Sequence, residues 1–254
     1  MYNVAERRNI ALKMLKEDGQ VTVAKLSELL EVSEVTIRKD LQYLEKRNLL
    51  IRTHGGAMQN DFLDHYQHFE EASKHFHEEK TRIGEAAANL VKDGDTLILD
   101  SGSTIMQVAR HLHGKRKLTV LTSAVNVAME LNRNTDIQLI ILGGVINQPS
   151  AAVVGPYAES MVREHFCSKL FLAGDGFDPE FGLTTTNALE AHLNRVMIRS
   201  AQETIVVMYS SKFGKRGLSR ICGMESISTV ITDSGIPDGI RRALEEKEIK
   251  VIIV

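Results

Sequence analysis

The stretch Leu30–Ala57, "LEVSEVTIRKDLQYLEKRNLLIRTHGGA", sets a capped helix beside a short apolar run and a Gly-Gly turn. Ser33 offers a side-chain oxygen to the first amides of a helix, and Glu34 sits in the first turn, where the helix dipole favours negative charge. Ile37, Leu41 and Leu44 recur at the i, i+4, i+7 spacing of one buried stripe. The opposite face then carries Val35, Lys39, Gln42 and Lys46, with Thr36 and Arg38 at its shoulders. These include donors of the kind that reach phosphates and base edges. "LLIRT" reads as a short strand turned by Gly55-Gly56. Upstream, Ile10, Leu12, Met14 and Leu15 mark a first helix ended by Asp18-Gly19, and "VAKLSELL" a second with Leu26, Leu29 and Leu30 inward. Two helices joined by the turn Glu31–Ser33, then a basic β-turn, make a winged helix-turn-helix plan. The solvated face of any three-helix bundle is also rich in Lys and Gln, so periodicity alone leaves the two readings level.

Working outward, 254 residues suffice for one large or two ordinary domains. A hydrophobic content of 43% with 25% charged residues is ordinary globular composition. Apolar runs such as "LIIL" are far too short to cross a bilayer, so no membrane partner is expected. The beginning, "MYNVAERRNI", lacks the apolar core of a signal peptide. Cys167 and Cys222 form neither a disulfide framework nor a Cys-x-x-Cys pair, which fits a reduced, cytoplasmic setting. The net charge of −2 hides an asymmetry. Residues 1–58 hold 10 Lys+Arg against 8 Asp+Glu, a balance of +2, and the remainder is at −4. That balance is too small to establish nucleic-acid binding by itself.

Residues 1–58 therefore read as a helical head, and residues 59–77 as a polar, His-rich linker. His65, His68, His75 and His77 fall into no regular ligand set, and no metal or other cofactor is expected. From residue 78 to 254 the texture alternates. Nearly all-apolar runs, "TLILD", "LTVLT", "IQLIIL", "KLFLAG", "TIVVMY", "TVITD" and "KVIIV", are separated by helical patterns. Short strands of that kind are covered on both faces, so an α/β domain with a mostly parallel, doubly wound sheet is expected.

Chemistry in that domain gathers where strands end. "ILDSGST" closes a strand with Asp100 and opens a helix after Ser101, Gly102, Ser103 and Thr104, a backbone cradle for an anion. Thr122-Ser123, Gly143-Gly144 and Asp175-Gly176 also fall just beyond strands. Loops at the carboxyl ends of parallel strands converge on one crevice, where ligands of open α/β sheets sit. Any one of these loops is also explained as a tight βα turn.

"VSEVTIRKDLQYLEKRNLLIRTHGGA" closely resembles the signature of the DeoR family of bacterial transcriptional regulators. Val32, Ser33, Thr36, Ile37, Arg38, Lys39, Asp40, Leu41, Leu44 and Glu45 match it, as do Arg52, His54, Gly55, Gly56 and Ala57. Asn48 stands in the spacer where the family more often has Gly. The resemblance continues through Asp100–Thr104, Thr122-Ser123, Gly143-Gly144, Asp175–Asp178, Gly182–Thr185, Asn187–Glu190 and Ser210–Lys212. Tyr209 stands where the family usually carries Asp. The resemblance implies a sensor domain with the fold of ribose-5-phosphate isomerase, and a phosphorylated sugar as effector. It implies DNA contacts by Ser33, Thr36, Arg38, Lys39, Gln42, Lys46, Arg52 and His54. The implied effector site comprises Asp100–Thr104, Thr122, Ser123, Gly143, Gly144, Asp175, Gly176, Glu190 and Lys212.

The alternative is a sugar-phosphate isomerase or deaminase with an appended helical domain. Moving a proton between adjacent carbons needs a positioned base and a group to stabilise the enediolate oxygen. The isomerase pattern resembles G-A-D-E-x-D followed by K-G-G-G. Here "AGDGFD" puts Gly176 at the Glu position, and "GLTTT" puts threonines where the Lys-Gly run would be. The expectation is therefore a repressor of sugar-catabolic genes and not an enzyme, with operator DNA and a sugar phosphate as partners. Paired half-sites on DNA imply a homodimer or higher oligomer.

Overall fold

The computed structural model describes residues 2–47, 49–58 and 75–254, and backbone alone at Lys16 and Pro149. The chain divides into two compact units, Met1–His68 and Phe69–Val254. Most of the expected linker, with His65 and His68, and the spacer residue Asn48, lie outside the described residues.

In the first unit α1 (Val4–Asp18) opens on a reciprocal cap: Glu6 N donates to Asn3 Oδ1 and Asn3 N donates to Glu6 Oε2. It ends at Gly19, whose φ of 73° is the left-handed stop expected there. After β1 (Gln20–Thr22), Thr22 caps α2 (Val23–Leu30), and Ser33 caps α3 (Glu34–Glu45). β2 (Ile51–Thr53) and β3 (Gly56–Met58) form a hairpin, and β3 lies between β1 and β2. A Cβ on Gly56 would lie 1.9 Å from Val21 O, so only glycine lets β3 close onto β1. Leu15, Val21, Val23, Leu26, Leu30, Ile37, Leu41, Leu44 and Leu50 form the core. Leu29, expected inward, is exposed. The stripe of α2 is centred between Val23, Leu26 and Leu30, which puts Leu29 roughly 90° away round the helix.

Asp40 lies on the buried stripe of α3 at 5% exposure. Its Oδ2 accepts from Arg7 Nε at 2.9 Å and its Oδ1 from Arg8 Nε at 2.9 Å, tying α1 to α3. Arg8 also lies over the Tyr43 ring, 3.5 Å from its centroid.

The second unit runs α4 (His77–Asn89), β4 (Thr96–Leu99), α5 (Ser103–Arg110), β5 (Leu118–Thr122), α6 (Val125–Leu131), β6 (Ile137–Ile141), β7 (Val145–Asn147), β8 (Ala152–Val154), α7 (Pro156–Arg163), β9 (Cys167–Leu172), β10 (Gly176–Asp178), β11 (Gly182–Thr185), α8 (Ala188–Arg199), β12 (Ala201–Val207), β13 (Ser219–Cys222), β14 (Thr229–Thr232), α9 (Asp238–Glu245) and β15 (Lys250–Ile253). The seven apolar runs are the seven strands of one parallel sheet, ordered β15-β14-β12-β9-β4-β5-β6. Alternate residues supply its two faces. Leu97, Leu99, Val120, Phe171, Ile205 and Val207 join one cluster. Ile98, Leu121, Leu170, Leu172 and Val206 join the other. Two antiparallel elements that periodicity does not reveal complete the unit: the hairpin β7-β8 and the sheet β10-β11-β13.

Removing the Asp40 carboxylate leaves two part-buried guanidinium groups without their shared partner. Asp40→Ala is expected to destabilise the first unit by about 2–3 kcal/mol. Amide hydrogen exchange along α1 and α3 of the full chain should accelerate by about 30–150-fold, with the second unit unaffected. Unchanged exchange would mean that the clamp contributes nothing.

Candidate functional site

Two surfaces carry the expected residues. On α3 the exposed face presents Val35 (63% exposed), Lys39, Gln42 and Lys46. The last three make no side-chain hydrogen bond or ion pair among the described residues. Their donors therefore point to solvent with nothing to displace. Arg38 Nη2 lies 2.8 Å from Glu34 Oε2 one turn back, an exposed pair of little energetic weight. Ser33 and Thr36 are occupied with each other: Thr36 N donates to Ser33 Oγ, and the two hydroxyls are 2.9 Å apart. Arg52, on β2, approaches Glu45 at 3.7 Å, and His54 is exposed in the β2-β3 turn.

The second surface is a cleft of about 110 Å³ at the carboxyl ends of β4 and β9. From β4 the chain steps to β5 and β6 on one side, and β9 and its successors lie on the other. The two loops diverge at this switch point and leave a crevice. Asp100 to Thr104 form one wall and Ala173 to Asp175 the other. Gly102, at φ 112°, turns the backbone into α5, and among the described residues no side chain caps that helix. Ser103 is thus not the cap, and the first amides of α5 face an end with no side-chain acceptor.

The carboxylates of the cleft differ by environment. Asp100 is enclosed, accepts from Ala173 N at 3.2 Å, and burial pushes its pKa up to about 7. Burial acts on Asp175 in the same sense. Lys212 and donors from Thr185 and Thr186 outweigh it and hold that carboxyl below its usual value. Glu190, on α8, accepts from Asn147 Nδ2 at 2.7 Å and from the Ser150 hydroxyl. Lys212, in the 3₁₀ turn Ser210–Lys212, donates to Gly174 O and lies 3.9 Å from Asp175 Oδ1. Burial lowers its pKa against the opposing pull of Asp175 and Asp100. Asp233, beyond β14, fastens this turn by accepting from Ser210 N at 2.6 Å.

The cleft thus gathers Asp100, Ser101, Gly102, Ser103, Thr104, Asp175, Glu190 and Lys212. It does not gather Thr122, Ser123, Gly143, Gly144 or Gly176. Thr122 is buried, and its hydroxyl donates to Leu99 O, latching β5 to β4. The bridge between Ala124 and Ala152 lays β8 beside the end of β5 at Ser123. Gly144 and Gly176 are sites of close backbone approach, to Val154 O and Lys215 O. Ser150, Ala173, Gly174, Thr185 and Asn194 complete the lining. Asn194 is four residues after Glu190 on α8, so helical spacing was a usable signal for it. Ser150 arrives through the β7-β8 hairpin and carried no such signal.

The family model described as "DeoR-like helix-turn-helix domain" matches residues 7–62. That described as "DeoR C terminal sensor domain" matches residues 75–234. The uncharacterized HTH-type transcriptional regulator YulB of Bacillus subtilis (strain 168) is 36% identical over 251 residues, covering 99% of this chain and 97% of its own. A putative aga operon transcriptional repressor of Escherichia coli O157:H7 is 35% identical over 252 residues, covering 98% and 94%. Among solved structures, ribose 5-phosphate isomerase A of Methanocaldococcus jannaschii aligns with a TM-score of 0.41 and 19% identity, over 54% of this chain and 55% of that one.

Asp100 gives the second unit a pH signature. Its folded-state pKa is raised from 3.8 to about 7, so the folded chain holds a proton that the unfolded chain has lost. The associated stability is present below about pH 4 and is lost as pH rises to about 7. Asp100→Asn keeps an acceptor for Ala173 N but does not titrate. Its Tm advantage over the parent should grow across that window and level off above pH 7, reaching on the order of 10 °C. Thermal melts at pH 5, 6, 7 and 8 (all roughly spanning the window) test this. A pH-independent difference would show that the carboxyl titrates normally.

Proposed function

Because the chain belongs to the DeoR family of DNA-binding transcriptional regulators, we propose that it represses sugar-catabolic genes and is released or engaged by a phosphorylated sugar. Homologous chains are named regulators and repressors, and this one is a regulator and not an enzyme. The single observation that carries the DNA reading is the outward face of α3, where the side chains of Lys39, Gln42 and Lys46 make no hydrogen bond or ion pair among the described residues. In this reading Lys39, Gln42, Arg38 and Thr36 enter the major groove, Ser33 sets the N-terminus of the helix, and Lys46 meets the backbone. Arg52 and His54 reach backbone or minor groove from the β2-β3 turn.

The effector reading rests on the cleft at the β4-β9 switch. A phosphate there gains the amides of Ser101 to Thr104 and the Lys212 ammonium. Asp100, Asp175 and Glu190 then face the sugar, where carboxylates accept from hydroxyls. Effector binding acts on DNA affinity by favouring one arrangement of the DNA-binding units, in proportion to its differential affinity. A homodimer or larger oligomer supplies the second half-site reader. The working division is residues 1–58 for DNA, 59–77 as linker and 78–254 for the effector, with a cytoplasmic site of action.

On DNA fragments from upstream of its own gene, the Arg38→Ala/Lys39→Ala variant should bind at least about tenfold more weakly. Each lost phosphate contact should reduce the salt dependence, d log K/d log[salt], by about 1. Anisotropy titrations at several salt concentrations measure both, and parental binding would exclude α3 as the reader.

For the cleft, Thr104→Ala and Lys212→Ala should each weaken a sugar phosphate by at least about tenfold, or ~1.4 kcal/mol. The unphosphorylated sugar should bind poorly and be indifferent to both changes. Calorimetric titration with both forms decides the matter, since equal affinities would refute phosphate recognition.

A further inference from the structure

Tyr209 stands directly before the Ser210–Lys212 turn, at the position where the family pattern has Asp. An aspartate there would give Lys212 an ionic partner; the ring gives it a π face. The Lys212 ammonium lies 5.2 Å from the centroid of the Tyr209 ring, within cation–π range. The same ring receives two groups from the segment by which the chain enters the second unit. Phe76 stacks on it with centroids 4.8 Å apart and an interplanar angle of 22°. The Lys80 ammonium lies 5.0 Å from its centroid.

Phe76 is 46% exposed, but its backbone and Lys80 are specifically placed. Phe76 occupies the left-handed region, φ 55° and ψ 39°, which a non-glycine residue keeps only when its surroundings hold it there. Among the described residues, no side chain caps the start of α4. Lys80 is 2% exposed, and its Nζ donates to His75 O at 2.8 Å, closing the same turn from the other side. Tyr209 is thus shared between a cleft residue and a strained helix start. Burial, and next the charge of Lys212, lower Lys80 to about pKa 8, so the two ammonium groups feel each other.

We propose that Tyr209 is a positioning residue of the cleft, holding the Lys212 ammonium and joining it to the Phe76–Lys80 turn, so that an anion on Lys212 is registered at the start of α4. The inference rests on the reading of the cleft as an anion site and adds the route out of it. An anion draws the ammonium away from the ring and neutralises the charge that Lys80 faces. Contact between Tyr209 and the turn is then re-weighted, and the left-handed start of α4 is the element with an alternative conformation to adopt. By linkage, loosening that turn alters anion affinity in return.

The test uses the full chain, with inorganic phosphate as the probe. Phosphate affinity is measured by calorimetry, and amide hydrogen exchange across the first turns of α4 is measured with and without saturating phosphate. The parent should bind phosphate and change its α4 exchange by at least about threefold. Tyr209→Phe, which keeps the ring, should behave as the parent. Tyr209→Leu should weaken phosphate by at least about threefold and lose the α4 response even at saturation. Lys80→Met should lose that response, and because Lys80 does not line the cleft its phosphate affinity should shift only by the lost coupling, by no more than about threefold. Exchange in β5 and β6 reports whether each variant is folded. An α4 response retained in Tyr209→Leu, or absent from a phosphate-bound parent, overturns the proposal. Thr104→Ala separates the underlying reading. If the parent binds no phosphate, or binds it equally after Thr104→Ala, the anion site itself fails and the relay falls with it.

Discussion

Reversal of strand order between β4 and β9 is the constraint on which the second unit depends. A parallel sheet built outward from β4 in one direction would bury the carboxyl end of every strand beneath the next crossover. Here the chain goes from β4 to β5 and β6, then returns to lay β9 on the opposite side. The loops after β4 and β9 must part, and the resulting crevice is where the backbone can meet a ligand. The rest follows from that geometry. Gly102 turns the first loop into α5 with its amides uncapped. β11 and α8 bring Thr185 and Glu190, and the turn after β12 brings Lys212.

Electrostatics then decides what kind of cleft this is. Among the described residues three carboxylates and one lysine line it, which at face value repels a dianion. Each carboxylate is committed, however. Asp175 is held charged by Lys212 and by Thr185 and Thr186. Glu190 is bound by Asn147 and Ser150. Asp100, with its pKa near 7, is partly protonated and able to donate. Asp100 thus shares a wall with the amide end of α5, and Lys212 reaches the cleft on the other wall, beside Gly174 and Asp175.

The large architecture was legible in the sequence because its signals are local. Strands covered on both faces must be apolar throughout, so seven such runs gave the seven strands of the parallel sheet. Ser33, Ile37, Leu41 and Leu44 placed α3 correctly for the same reason. What escaped was set by tertiary register. The strands of the β7-β8 hairpin are three residues each and carry no period. Yet it covers the end of β5 and carries Ser150 into the cleft, so Ser150 lines that cleft while Thr122 and Ser123 do not. Asp40 left a readable trace, since a carboxylate on an apolar stripe calls for buried cations. Arg7 and Arg8, far away in sequence, supply them.

The same close packing bears on catalysis. Gly176 occupies the position at which the isomerase pattern carries Glu, and a Cβ there would lie 2.4 Å from Lys215 O. No side chain enters that space without moving the backbone at Lys215. The threonine run that stands in place of Lys-Gly holds this arrangement closed. Thr184 is fully buried, its hydroxyl donates to Gly176 O at 2.9 Å, and it accepts from Gly217 N at 2.7 Å. A glutamate at position 176 would need Thr184 and the Lys215–Gly217 turn to move with it. The residues that would perform proton transfer in an isomerase are here the ones that fix the loop in place.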